Sequence, residues 1–431
     1  MLLVDLKGTL RYLPQEGNLY SQTTIELNNP ENKVLDQVRD SLAWDDENIE
    51  VMEEEVAPIP DYQKDLQATG SIPEKSYDFK DTVNHWPDFM YTRYHPRTIN
   101  IVRNYEQSED VSTLDTFMAG AKLWSTPYFE DDFTDKIRNY IEECDNCQGF
   151  QTIFDVVDGF SGLSLKCLEY LEDEYSKSIL ALPVIPPKVK DFTHADEATS
   201  DSIRVINTAF SYAKLSEFSS LFVPLSTMSR GWRSVDEPRQ LPHVNYDPTN
   251  FYHSSAVLAT FIDTMSLRYR LREQTTFLSG FCSDMNAYNR TMAGAKLGMP
   301  FPMNDSEDLI DFFDRYEGDL MQPLSPSTKV GTDRIVQSIC VRGIPKSRLK
   351  KPMQSSNKQI KMPAYKCSSI SEMLQLYYQC NTYSSLTHVT ATESKMRVMS
   401  PFPAEFFDNR FKSNGFLREF QSETVEGKIH I

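Results

Sequence analysis

Gly159, Ser161 and Gly162 are the residues best placed to hold an anion, in the run Val157-Asp158-Gly159-Phe160-Ser161-Gly162. A glycine-bearing turn between a strand and a helix lets backbone N–H groups converge on a phosphate, and the helix dipole adds attraction. The same run also carries features that oppose this. Asp158 would repel a phosphate, and Phe160 crowds a backbone that must approach its ligand closely. A plain strand-to-helix turn is the competing reading, since glycine turns of this kind are common. Other chemistry is thinner. Cys144 and Cys147 form one C-x-x-C, half of a zinc site with no second pair after it. Thiols buried near a helix end are the simpler account. No nucleophile-elbow pattern accompanies the histidines and serines. His95 and Arg97, with Trp86 and Asp88, read either as a recognition surface or as a hydrogen-bonded cluster that fixes a loop.

The elements around the turn are readable from periodicity. Phe133, Ile137, Tyr140, Ile141 and Cys144 share one face of a helix over 131–144, with Asp131, Asp132 and Asp135 in its first turns, where the dipole favours acids. Gln151–Val157 reads as a buried strand. A second helix over 163–175 aligns Leu165, Leu168, Leu171 and Tyr175. Helices on both sides of a buried strand predict a parallel, helix-covered sheet. Further helices are expected over 198–218 and 253–267, a short amphipathic helix over 34–44, and strands over 2–6 and 335–341. Residues 183–193, with three prolines, read as a linker or edge segment. Residues 14–32 read as loop. The tail after Pro401, rich in phenylalanine, follows no assignable period.

The chain has 431 residues, 40% of them hydrophobic and 12% aromatic, which fits a large folded core. No run approaches the ~20 apolar residues of a membrane span, and Asp5 and Lys7 break the apolar start before it could act as a signal peptide. A formal charge of −18 disfavours binding to nucleic acid or anionic lipid. The charge is uneven: residues 45–55 are mostly acidic, and 342–361 carry seven Lys and Arg with no acid. Such runs are ordinarily solvated loops; the basic one would also suit an acidic partner. Seven cysteines, an odd number, point to a reducing compartment.

Cys144-Asp145-Asn146-Cys147-Gln148-Gly149-Phe150-Gln151 resembles the C-D-x-L-Q-G-F-Q segment that precedes the phosphate loop of tubulins. The loop after it departs from tubulin's G-G-G-T-G-S-G. Its D-G-F-S-G, with Trp86-Pro87-Asp88-Phe89 and His95-Pro96-Arg97, resembles the Misato family, a divergent branch of the tubulins. The resemblance runs over nearly the whole chain and is strongest from Trp86 to Leu267. It implies a tubulin/FtsZ-like α/β fold: a Rossmann-like parallel sheet flanked by helices, plus a second α/β domain. The implied division is 1–195 for the nucleotide-binding-type domain with an acidic loop at 45–76, 196–220 for a central helix, and 221–431 for the second domain with the basic segment 342–361.

The resemblance also carries site residues. Leu3-Val4-Asp5-Leu6 is similar to the end of tubulin's third strand, so the tubulin first strand, its nucleotide loop and first helix have no counterpart here, as in a shortened form. Val205–Phe210 is similar to tubulin's I-D-N-E-A-L, which gives Asn207 the place of the guanine-contacting Asn; the stacking Tyr is Ile203 here. No G-x-x-N-x-D occurs near 268–290, where tubulin supplies the acid that hydrolyses its neighbour's GTP; Asp284 and Asn286 stand in another order and spacing. Gly159, Ser161, Gly162 and Asn207 are therefore expected to be a vestigial nucleotide site. No cofactor and no metal are expected, with GTP as the competing ligand. A GTPase without the activating carboxylate and with an incomplete phosphate cradle has little means to stabilise its transition state. The Misato resemblance implies a non-catalytic role in mitochondrial distribution and morphology, spindle assembly and chromosome segregation. The implied location is the cytoplasm, the mitochondrial outer surface and the mitotic spindle. The implied partners are tubulin or microtubules and cytosolic chaperonin. A GTP-binding switch and a microtubule-joining subunit are the alternatives.

Overall fold

A computed structural model describes residues 1–13, 58–70, 114–187, 195–231, 236–272, 276–286, 289–304, 320–328, 337–349, 366–381 and 388–407, and parts of 75–106, 309–316 and 409–411. The expected helix over 34–44, the loop over 14–32, the acidic run 45–55 and most of the basic run 342–361 lie outside the described residues. Two compact units divide the chain. The first comprises 1–114 and 127–145; the second comprises 115–126 and 146–431. This partition does not coincide with the sequence division at 195 and 220.

In the first unit, β1 (Leu3–Lys7) pairs in parallel with β2 (Ile99–Glu106), Leu3 opposite Ile99, with a register shift after Leu6. Within the span 45–76 expected as an acidic loop, residues Asp61–Thr69 instead form helix α1, which buries Tyr62 and Leu66 and ends on Gly70 in the left-handed conformation. Helix α3 (Thr134–Glu142) follows a wide π turn at Tyr128–Phe133. The single helix expected over 131–144 thus starts earlier and opens irregularly. The wide turn lets Phe129 and Phe133 both bury, ring centroids 5.4 Å apart, while the Thr134 hydroxyl bonds the carbonyls of Glu130 and Asp131.

The second unit begins with helix α2 (Phe117–Trp124), which the surrounding first-unit chain enters and leaves. Then come β3 (Phe150–Asp155), α4 (Phe160–Tyr175), β4 (Ile179–Val184), α5 (Ala195–Leu215) and β5 (Leu221–Phe222). The sheet order is β3-β4-β5, all parallel. Two right-sized crossovers through α4 and α5 make this the helix-covered parallel sheet that the periodicity predicts. Gly149 enters β3 at φ +144, and a Cβ there would lie 2.3 Å from the Ser178 carbonyl oxygen, so the turn needs glycine. Pro183 does not lie in a linker: it is inside β4, opposite Phe154. It lacks an N–H to give, and formal pairing with β5 ends at Ala181–Phe222.

The rest of the unit adds α6 (Phe251–Arg270), α7 (Leu278–Met285), the short antiparallel pair β6 (Lys296–Leu297) and β7 (Gln322–Pro323), the parallel pair β8 (Ser338–Arg342) and β9 (His388–Thr392), and between the latter two α8 (Ile370–Asn381). Asn250 caps α6, accepting from the N–H groups of Tyr252 (2.9 Å) and His253 (3.3 Å). Two cores result. One joins Leu180, Leu182, Leu221, Val257, Phe281, Leu324 and Phe406. The other joins Ile339, Val389, Met373 and Leu374. The phenylalanine-rich tail, unassignable by period, is part of the first core: Phe406 is fully buried, with Phe402 and Phe407 beside it.

Candidate functional site

The glycine turn is shorter than its sequence suggests. Helix α4 begins at Phe160, so Ser161 and Gly162 lie in its first turn rather than in a loop. Asp158 is the cause. Its Oδ1 accepts from the Phe160 N–H at 2.9 Å, and its carbonyl accepts from Ser161 N–H at 3.3 Å and from the Ser161 hydroxyl. The Gly159 carbonyl accepts from Gly162 N–H (3.0 Å) and Leu163 N–H (3.2 Å). A carboxylate of the chain itself thus holds the anion position at the helix N-terminus, where the dipole favours it.

Helix α2 lies directly on this turn. A Cβ on Gly120 would sit 1.6 Å from the Gly159 carbonyl oxygen, and one on Gly162 would sit 1.8 Å from the Phe117 carbonyl oxygen. The two backbones touch, and only glycine fits at the crossing. Phe117 and Leu123 turn inward on the same face of α2 and are buried.

Asn207, on α5, is buried at 1% exposure. Its Oδ1 accepts from Phe117 N–H at 2.9 Å, and its Nδ2 donates to the carbonyls of Asp115 (2.6 Å) and Val157 (2.9 Å). The side chain therefore ties the start of α2 to the end of the β3 segment. One turn on, Ser211 bonds the Val156 carbonyl at 3.4 Å. Beside Asn207 on α5, Ile206 and Phe210 are half exposed, and the Phe210 ring lies 5.6 Å from Phe117.

Asp155, at the end of β3, accepts from Val157 N–H at 2.8 Å. Burial pushes its carboxyl up to about 6, against the pull of that N–H and of the Arg204 guanidinium. Burial draws Arg204 down, opposed by Asp155, Asp201 and Asp158, and its guanidinium bonds the Pro186 carbonyl.

The four expected site residues are thus brought together, around Val157–Gly162, but in contact with protein. The first N–H groups of α4 have acceptors, the glycines carry α2, and the Asn207 amide bonds three backbone groups. The part that sequence reasoning missed is α2. Its signal was present: Thr116, whose side chain accepts from Ala119 N–H at 3.3 Å, followed by Phe117, Gly120 and Leu123 at helical spacing.

Other singled-out residues have structural partners. In the first unit, Trp86 Nε1 donates to Asp5 at 2.9 Å, Asp88 caps the His85 N–H at 3.2 Å and pairs with Arg11 at 3.5 Å, and the Gln63 amide bonds the carbonyls of Pro87 (3.0 Å) and Met90 (2.7 Å). Arg97 makes a two-pronged pair with Glu143, at 2.7 and 2.8 Å, over the Tyr140 ring. His95 accepts from the Arg97 N–H at 3.2 Å. Cys144 is exposed and Cys147 half-buried, and neither is in a disulfide. In the second unit, the Asp284 carboxylate is engaged by Arg268, a guanidinium only 2% exposed.

A parallel sheet with α4 and α5 as crossovers and a glycine turn at the end of β3 defines a tubulin-type domain, and the Tubulin domain family matches residues 76–271. The chain belongs to the Misato family. It is 42% identical over 429 residues to Protein misato of Drosophila melanogaster, covering 96% of this chain and 74% of that relative. Protein misato homolog 1 of Bos taurus is 28% identical, covering 100% of this chain and 77% of the relative. Its Danio rerio counterpart is 29% identical, covering 97% and 74%.

Proposed function

We propose that this chain is a non-catalytic, tubulin-like scaffold acting in mitochondrial distribution and morphology and in spindle assembly and chromosome segregation. Its expected setting is the cytoplasm, the mitochondrial outer surface and the mitotic spindle, with tubulin or microtubules and the cytosolic chaperonin as partners. The cellular roles rest on membership of the Misato family. The absence of catalysis is supported by the arrangement at Val157–Gly162, where the groups that could meet a phosphate or a base have partners within the chain. Asp158 caps the helix, α2 lies on Gly159 and Gly162, and Asn207 is fully engaged. Asp284, in the region where tubulin carries its activating acid, is paired with Arg268. Among the described residues, the carboxylate that could supply positioned charge in that region is thus already engaged.

Equilibrium binding of a fluorescent guanine nucleotide to the purified chain is the test. No saturable binding up to millimolar nucleotide is expected. Micromolar affinity, lost on Asn207→Ala, would establish the switch instead. For the scaffold role, co-sedimentation with assembled microtubules at physiological salt, beside affinity capture scored for tubulin and chaperonin against mitochondrial surface proteins, separates the spindle from the mitochondrial arm.

A further inference from the structure

Helix α5 carries an apolar face that stays in water. Asn207, Thr208, Ser211 and Leu215 are buried along one side of the helix. Ser202, Val205, Ile206, Ala209, Phe210 and Ala213 are exposed along the other. A helix face in contact with water ordinarily carries polar residues. Here Val205 is 42%, Ile206 52% and Phe210 50% exposed. On α2, Met118 is 61% exposed, and its neighbour Phe117 lies against the Phe210 ring. These four side chains leave on the order of 400 Å² of apolar surface in water, a size at which a patch ordinarily marks a contact site.

The order of residues along the face selects its occupant. The six exposed positions are symmetric about the bond between Asn207 and Thr208. A second α5 crossing there in the antiparallel sense brings its Phe210 level with Val205, its Ala209 level with Ile206 and its Ala213 level with Ser202. At 3.6 residues per turn, Ser202, Ala209 and Ala213 run down the middle of the face, where small side chains let two backbones approach. Val205 stands on one edge of that strip, and Ile206 and Phe210 on the other. A two-fold axis sets each edge against the same edge of the copy, as an isologous contact requires. None of the six residues is charged, so the −18 of the chain does not oppose contact at this face. A lipid surface, by contrast, selects lysine and arginine beside an apolar helix face; Lys214 here is paired with Glu217 at 3.6 Å.

We propose that α5 is a self-association surface, and that its occupant is the α5 of a second copy of this chain, packed antiparallel across Asn207–Thr208. Burying the patch in both copies removes about 800 Å², and its polar rim brings the total near the lower bound of a specific interface, about 1,200 Å². The proposal stands apart from the nucleotide reading, because it uses the exposed side of α5 and leaves Asn207 in place.

Sedimentation equilibrium of the full chain, from about 1 to 200 µM, should show monomer and dimer with a Kd of roughly tens of micromolar, as suits an interface at the small end of the range. Phe210→Glu and Ala209→Arg change exposed residues and should leave the thermal midpoint in place while weakening the dimer by about tenfold or more. Phe251→Glu, at a phenylalanine 67% exposed at the start of α6, should leave the Kd unchanged. A monomer over the whole range would overturn the proposal. So would a dimer whose Kd is untouched by Phe210→Glu and Ala209→Arg, or one that Phe251→Glu weakens as much.

Discussion

Glycine-to-alanine changes at two helical positions should have opposite signs. Alanine is a better helix former than glycine by about 1 kcal/mol, so Gly280→Ala in α7 should stabilise; its new Cβ meets only the Thr276 methyl, at 3.4 Å. Gly162→Ala, in the first turn of α4, puts a Cβ 1.8 Å from a backbone oxygen of α2. Overpacking against backbone costs about 1–3 kcal/mol and outweighs the propensity gain. Urea midpoints should rise for the first variant and fall for the second. A rise in both would mean that α2 moves aside freely. The same crossing explains why the candidate site was half legible. Gly159, Ser161, Gly162 and Asn207 could be named from sequence because they stand at family positions. What they touch could not, because the tight α2–α4 contact joins residues about forty positions apart and has no local signature beyond a glycine.

At the scale of elements, what was legible follows from apolar period. Strand β3 and helices α4, α5 and α6 bury one face along many residues, and each was expected within a few residues of its place. Short elements fixed by distant contacts were not. The tail is held by Phe406 inside the α6 core and by Glu405, which meets His253 Nε2 at 2.8 Å while His253 Nδ1 accepts from the Asp247 N–H. Phe406→Ala should cost about 3–5 kcal/mol, the range for a buried phenylalanine, and calorimetry would read it. A near-neutral result would mean the tail is merely draped. A second device at this scale is the polar layer between α6 and the β8–β9 pair. His388 and Ser338 are register partners, and Ser338 bonds Arg268 at 3.3 Å. Burial, then the nearby Arg268 guanidinium, hold His388 below the ordinary imidazole range, with Asp284 opposing. The unfolded chain therefore binds the proton first. Stability from neutral His388 is complete above about pH 6.5, the unfolded value, and falls as pH drops through the lower folded value. Asp155, shifted upward, slopes the other way between its ordinary range and about 6, but it is common to both proteins compared. Urea midpoints from pH 7.5 to 5 should fall less steeply for His388→Gln than for the unaltered chain. Parallel curves would exclude His388 as the source.

For the whole molecule the decisive quantity is the response to nucleotide. Any ligand that binds only the folded state stabilises it by RT ln(1 + [L]/Kd), about 4 kcal/mol at a thousandfold excess over Kd. For a unit of this size each kcal/mol moves the midpoint by roughly 2 °C or a little less, so a micromolar binder given 1 mM GTP and Mg²⁺ should raise it by several degrees. The proposed reading predicts a shift within error, because Asp158 bonds the Phe160 N–H and α2 packs on Gly159 and Gly162. A rise of that size, abolished by Asn207→Ala, would return this chain to the nucleotide-binding tubulins.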